Sequence, residues 1–126
     1  MKLLLDTHIL LWWLANDPAL PPLGRQLIAD PNHAVFLSAV TLWEIWLKHS
    51  IGKLTLPVDF EERLAKEQFE SLPLAAAHTK AVASLPWIHR DPFDRMLVAQ
   101  AMTANLKLLT VNDTLASYGS MTLFLH

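Results

Sequence analysis

Four acidic stations in this 126-residue chain stand where carboxylates can act together: Asp6, Glu44, the pair Asp91 and Asp94, and Asp113, which follows Asn112. Each falls near the end of a short apolar run or the start of a helix-length one. Carboxylates crowded together repel one another and raise one another's pKa unless a cation neutralises them. The chain has no cysteine, so such a cluster offers oxygen ligands only. Oxygen-only sites select hard ions, Mg²⁺ or Mn²⁺, held by a few carboxylates and several waters. Ions held in that way suit phosphodiester hydrolysis, because they position a water, lower its pKa and neutralise charge building on the phosphate.

Every acid also has a local explanation. Asp6 precedes a helix-length apolar run and is a good N-cap. Glu44 follows Thr41 at the spacing of a capping box, although Ser38 competes as the cap and places Glu44 further along its helix. Asp91 before Pro92 has the form of an N-cap followed by proline at the first helical position, which puts Asp94 at the third, where a negative charge suits the helix dipole. Asp113 is compatible with an ordinary turn. The combination tips the balance, because the elements carrying these residues share one edge of the fold.

Those elements are strands alternating with helices. Residues 3–5 form a wholly apolar run suited to a strand covered on both faces, and residues 9–15 suit the first helix. Helices are predicted over 23–29, 40–50, 58–69, 75–84 and 93–104, and strands over 34–37, 71–74, 107–111 and 121–125. Gly52 closes the third helix, and the acids Asp59, Glu61 and Glu62 fall in the first turn of the fourth. The alternation implies a single α/β domain over 1–126, with three α/β/α layers and a short, mostly parallel central sheet flanked by helices. In such a sheet Asp6 and the Asn112–Asp113 turn lie at the carboxyl edge, where open α/β sheets bind ligands. The helices carrying Asp91, Asp94 and Glu44 begin beside the same edge.

Composition narrows the classes. Hydrophobic residues make up 52% and charged residues 17%, which argues for a filled core, an apolar contact surface, or both. No apolar run reaches the ~18 residues of a membrane span, and Asp6 interrupts the only amino-terminal run that a signal peptide would need. The lack of cysteine is compatible with a reducing cytoplasm. Ten basic against twelve acidic residues give a net charge of −2, without the basic footprint of a duplex-DNA binder. Contact with nucleic acid then has to be local or bridged by metal.

The stretches LLLDTHILLWWL, SAVTLWEIWLKHSIGKL and HRDPFDRMLVAQA resemble the PIN domains of VapC-type toxins from bacterial toxin–antitoxin pairs, in family order and over nearly the whole chain. The resemblance implies a metal-dependent ribonuclease with an acidic Mg²⁺/Mn²⁺ pocket acting on RNA, a small antitoxin that blocks it, and a toxin homodimer. By position, Asp6 matches the family's first acid, Glu44 its second and Asp94 its third, while Asp91 belongs to an R-D-P-F-D variant and either joins the pocket or caps the helix. The departure is at the fourth position. The family has T-x-D after the fourth strand, whereas here Thr110 is followed by Val111 and Asn112, and Asp113 arrives one residue late. Either Asn112 stands in as a neutral ligand or the turn brings Asp113 inward, and the expected consequence is weakened metal affinity with activity retained.

Around these acids, Thr7 and Thr110 have hydroxyls placed to orient ligands or to bond locally. His89, Arg90 and Arg95 are read as a solvated surface face, with contact to RNA phosphate as the alternative. His8 beside Asp6 is poor support for a general base. Of the tryptophans, at least half are expected in the core. The rest, with Leu10, Leu11 and Leu14 beside Trp12 and Trp13, suggest a surface for an antitoxin or a second subunit. Two other functions compete: a PIN-like protein-binding module that has lost turnover, supported by Asn112, and an aspartate-nucleophile phosphatase of the haloacid dehalogenase type. The phosphatase wants D-x-D, but His8 fills the second slot and the chain has no room for a cap domain.

Overall fold

The computed structural model describes residues 1–126. In chain order the elements are β1 (Lys2–Leu5), α1 (Thr7–Ala15), α2 (Pro22–Ala29), β2 (Ala34–Ser38), α3 (Ala39–Ser50), α4 (Phe60–Ala65), β3 (Glu70–Leu72), α5 (Ala76–Ala83), α6 (Pro92–Ala104), β4 (Lys107–Thr110), α7 (Asp113–Ala116) and β5 (Thr122–Phe124). The strands form one sheet in the order β3-β2-β1-β4-β5, and all four pairings are parallel. The chain therefore winds outward from β1 through β2 to β3, then returns to add β4 and β5 on the other side. Such a reversal leaves a crevice at the carboxyl ends of the two strands where it occurs, here β1 and β4.

Period-two alternation splits the core between the faces of the sheet. Leu3, Leu5, Val35, Leu37 and Leu109 join Ile9 and Leu10 of α1, Ile28 of α2 and Phe60 of α4 in one cluster. Leu4 and Leu108 point the other way, into a cluster with Leu97, Val98, Ala99 and Ala101 of α6 and Leu115 of α7. The helix α3 serves both clusters, through Ile45 and Val40 respectively. These are the three α/β/α layers that the alternating pattern implies. No helix is long and apolar enough to cross a membrane.

Three expectations change. The helix expected over 58–69 shrinks to Phe60–Ala65, because the chain must leave it in time for Glu70 to pair with Phe36 on β2; Phe69 packs on the core from outside the helix. The strand expected over 71–74 is the edge strand Glu70–Leu72, and Pro73, which has no N–H to donate, follows it directly. The short helix α7 was not anticipated. The tryptophans also exchange places. Trp12 and Trp13 lie partly buried against the first core cluster, with Leu10 fully buried, while Trp43 is 59% exposed and Trp46, Leu47, Ile51 and Trp87 are exposed as well. The open apolar face thus belongs to α3 instead of α1, since α1 is covered by the segment around α4.

Candidate active site

Asp6 is the residue between β1 and α1. Its Oδ1 accepts the Ile9 N–H at 2.9 Å, so it caps α1, and its carboxyl group is buried at the β1/β4 crevice. Capping and a place in the crevice are therefore one position, not alternatives. From β4, the Thr110 hydroxyl accepts the Asn112 N–H at 3.0 Å and acts on the Asp6 carboxylate to favour its charged form. Burial pushes the Asp6 carboxyl up to about 6; the bond from Ile9 and the Thr110 hydroxyl oppose the shift, and the charge of Asp94 adds to it.

Asp94 arrives from the far side of the chain because Asp91 caps α6. The Asp91 Oδ1 accepts the N–H groups of Phe93 and Asp94 at 2.8 and 3.2 Å, which fixes Asp94 in the first turn. Its carboxyl group is also raised, by burial first and then by the charge of Asp91, with Glu44 contributing further down. A bond from Nε2 of His89 to its Oδ2, at 2.9 Å, works in the opposite direction.

Glu44 lies in the second turn of α3, because Ser38 and not Thr41 is the cap: the Ser38 hydroxyl accepts the Val40 N–H, while the Thr41 hydroxyl is buried without a partner. The Ser38 hydroxyl also donates to Gln100 of α6 at 2.6 Å, tying the start of α3 to the helix that carries Asp94. Both Glu44 oxygens are taken. Oε1 accepts from the Thr7 hydroxyl and Oε2 from the Lys48 ammonium, each at 2.5 Å.

The fourth expected station is used differently. The Asn112 Oδ1 accepts the Thr114 N–H at 3.0 Å and caps α7, and Asp113 is the exposed first residue of that helix. Arg95 corrects both of its expected roles, surface residue and phosphate contact. It is 3% exposed, donates to the carbonyls of Val82, Leu85, Pro86 and His89 and to the Tyr118 hydroxyl, and stacks on Trp87 at 3.8 Å. Its five donors make it the clasp of the loop before α6. Arg90 is exposed, as expected, and exposed His8 stands against Trp12. Lys48 went unnoticed in the sequence, although its spacing from Glu44 is the i,i+4 spacing of a helical ion pair.

The donor chemistry suits a hard divalent ion. Asp6 and Asp94 are anionic oxygen donors from different elements, both raised by burial, with the charge of Asp94 adding to the shift on Asp6, and a cation beside them relieves both. No three of the chain's acids and histidines converge closely enough to cage an ion. The fit is therefore to an ion taken by two carboxylates and completed by water, which is the habit of Mg²⁺.

The family model of the PIN domain matches residues 3–120, and the chain belongs to that family. Among solved structures, VapBC2 from Rickettsia felis, bound to a DNA fragment from its promoter, shares the fold at a TM-score of 0.76 and 16% identity, over 100% of both chains. VapBC-1 from nontypeable Haemophilus influenzae matches at 0.63 and 20%, over 94% of this chain and 92% of that one. VapBC-5 from Mycobacterium tuberculosis, a member of the VapBC family of toxin–antitoxin systems, matches at 0.61 and 20%, over 98% and 97%. At such identities the likeness is one of fold. No curated protein sequence matches the chain.

Proposed function

We propose that the chain is a PIN-domain ribonuclease of the toxin type, hydrolysing RNA phosphodiester bonds with Mg²⁺ or Mn²⁺ and restrained by a small antitoxin protein. One observation carries this reading: at the crevice where the sheet reverses direction, the buried carboxyl of Asp6 is raised, and the charge of Asp94, 88 positions along the sequence and itself raised and only partly exposed, adds to that shift. In their roles, Asp6 and Asp94 hold the ion, Asp91 fixes the turn that presents Asp94, and Thr110 and His89 orient the two carboxylates. Glu44, held by Thr7, extends the acidic wall. The ion when bound supplies an activated water and charge neutralisation at the phosphate. The solved relatives of this fold in toxin–antitoxin assemblies support the partner, and the exposed apolar face of α3 offers area for it or for a second copy of the chain.

The test is cleavage of a total RNA pool with Mg²⁺, Mn²⁺ or EDTA, comparing wild type with Asp6→Asn and Asp94→Asn. Cleavage is expected from the wild type with metal only. Equal cleavage by all three proteins, or cleavage in EDTA, overturns the reading. The placement of Asn112 as a cap, with Asp113 exposed, favours one alternative, a PIN module that binds metal and partner without turnover. Metal binding with no cleavage of any RNA in the pool identifies it. The phosphatase alternative loses its footing, since the residue two beyond Asp6 is an exposed histidine.

A further inference from the structure

We propose that Lys48 is the fixed cation of this site: Glu44, bonded by the hydroxyl of Thr7 next to Asp6, holds its ammonium group at the acidic crevice, where it fills the place of a second metal ion and contacts the RNA phosphate. The proposal rests on the reading of Asp6 and Asp94 as the ion-holding pair. Glu44 is an acid whose side chain is only 4% exposed and whose two oxygens are both committed, one to Thr7 and one to Lys48. A carboxylate so engaged has little left to offer a metal. Lys48, by contrast, is 40% exposed in its side chain and spends one of three donors on Glu44. The other two are free to meet an oxygen ligand arriving from solvent.

The surroundings keep the group charged. Its pKa is raised chiefly by the bond to Glu44, and the charges of Glu44, Asp91 and Asp94 act in the same direction. Phosphodiester cleavage in two-metal sites uses the second ion to neutralise charge on the phosphate. A lysine ammonium is a compact point charge that can serve the same electrostatic end. Here it is built into α3 one turn beyond Glu44, so it is present before any metal binds. A positive charge beside the acids also competes with the ion that Asp6 and Asp94 take.

Two measurements separate this role from a merely structural brace for Glu44. The first is calorimetric titration of metal-free protein with Mn²⁺. Lys48→Met is expected to bind Mn²⁺ about tenfold more tightly than wild type, because a repelling charge is gone and Glu44 is released. A brace predicts the opposite, since an unsupported Glu44 serves a metal less well. The second is anisotropy of a labelled single-stranded RNA in EDTA. Lys48→Met is expected to weaken binding and to flatten the slope of log K against log salt by about 0.7, the value for one lost phosphate contact on a single strand. Lys48→Arg keeps the charge and is expected to restore the slope.

The paired variant Glu44→Gln with Lys48→Met leaves no lone buried charge and covers the case in which Lys48→Met does not fold. It is expected to keep Mn²⁺ affinity within about threefold of wild type, the two lost charges offsetting one another, and to show the same flattened slope. Unchanged or weaker Mn²⁺ binding in Lys48→Met, or an unchanged slope in the paired variant, overturns the proposal. Asp6→Asn is titrated alongside. If it loses Mn²⁺ while the Lys48 variants show neither effect, Lys48 alone is misassigned. If Asp6→Asn binds Mn²⁺ like wild type, the ion-holding pair fails and the Lys48 proposal falls with it.

Discussion

Burial holds the Asp6 carboxyl at about 6 in the folded chain, against 3.8 for the free side chain. Between those values the native state binds more protons than the unfolded one, so stability is greatest below about pH 4 and is lost as pH rises through 6. A shift of about two units amounts to about 3 kcal/mol at pH 7 in metal-free protein. Asn caps a helix as well as Asp does, so Asp6→Asn keeps the bond to Ile9 while removing the buried charge. Metal-free Asp6→Asn is therefore expected to be up to about 3 kcal/mol more stable than wild type at pH 7 and equal to it near pH 4. Urea denaturation at the two pH values measures this, and equal stability at pH 7 contradicts it. Mg²⁺ at about 100 times its wild-type Kd adds about 2.7 kcal/mol to wild type and about 1.4 kcal/mol or less to a variant that binds it at least tenfold more weakly. The chemical types at this scale were legible in the sequence, because acid, cap and threonine announce themselves locally. What they do beyond capping was not legible there: whether Asp6 serves a site as well as capping α1 is decided by what β4 and α6 bring to it. Arg95 shows the same limit, since its five partners come from residues 82–118, and only folding shows that they converge. Arg95→Met removes a donor from all five partners, of which the Val82 and Pro86 carbonyls keep backbone donors, and is expected to cost about 3 kcal/mol, read in urea; a loss under 1 kcal/mol contradicts the clasp.

The helix α3 shows how an element positions chemistry. Ser38 sets its start, and with it the turn on which Glu44 and Lys48 fall, while its hydroxyl holds Gln100 of α6. Ser38→Ala removes a cap worth about 1 kcal/mol and strands a buried amide at a further 1–3, so a loss of about 2–4 kcal/mol is expected in urea unfolding. A loss below 1 kcal/mol contradicts the double role. Long periodic elements such as α6, with Asp91 before Pro92, were legible because capping and periodicity are local. The reach of α4 was not. Its apolar and acidic pattern continues toward Phe69, but the pairing of β3 with β2 ends the helix early, and strand pairing is a long-range fact. The four-residue α7 escaped for the opposite reason, being too short for periodicity to mark.

For the whole molecule, the strand order explains why the acids are scattered along the sequence. Starting at the centre, winding to one edge and returning to the other leaves β1 and β4 adjacent, though their paired residues Leu4 and Leu108 are 104 positions apart in sequence and eight elements lie between the two strands. Asp6 and Thr110 become neighbours by topology alone. The alternation of strands and helices gave the layers, but not the place where the winding reverses. The central claim is that Asp6 and Asp94 act as one ion-holding pair. Calorimetric Mn²⁺ titration of metal-free wild type, Asp6→Asn, Asp94→Asn and the double variant tests it directly. The expected result is one ion bound by wild type, a loss of at least tenfold in each single variant, and little further loss in the double, as for two groups that share one ligand. Affinities unchanged in either single variant, or losses that simply add, contradict the claim.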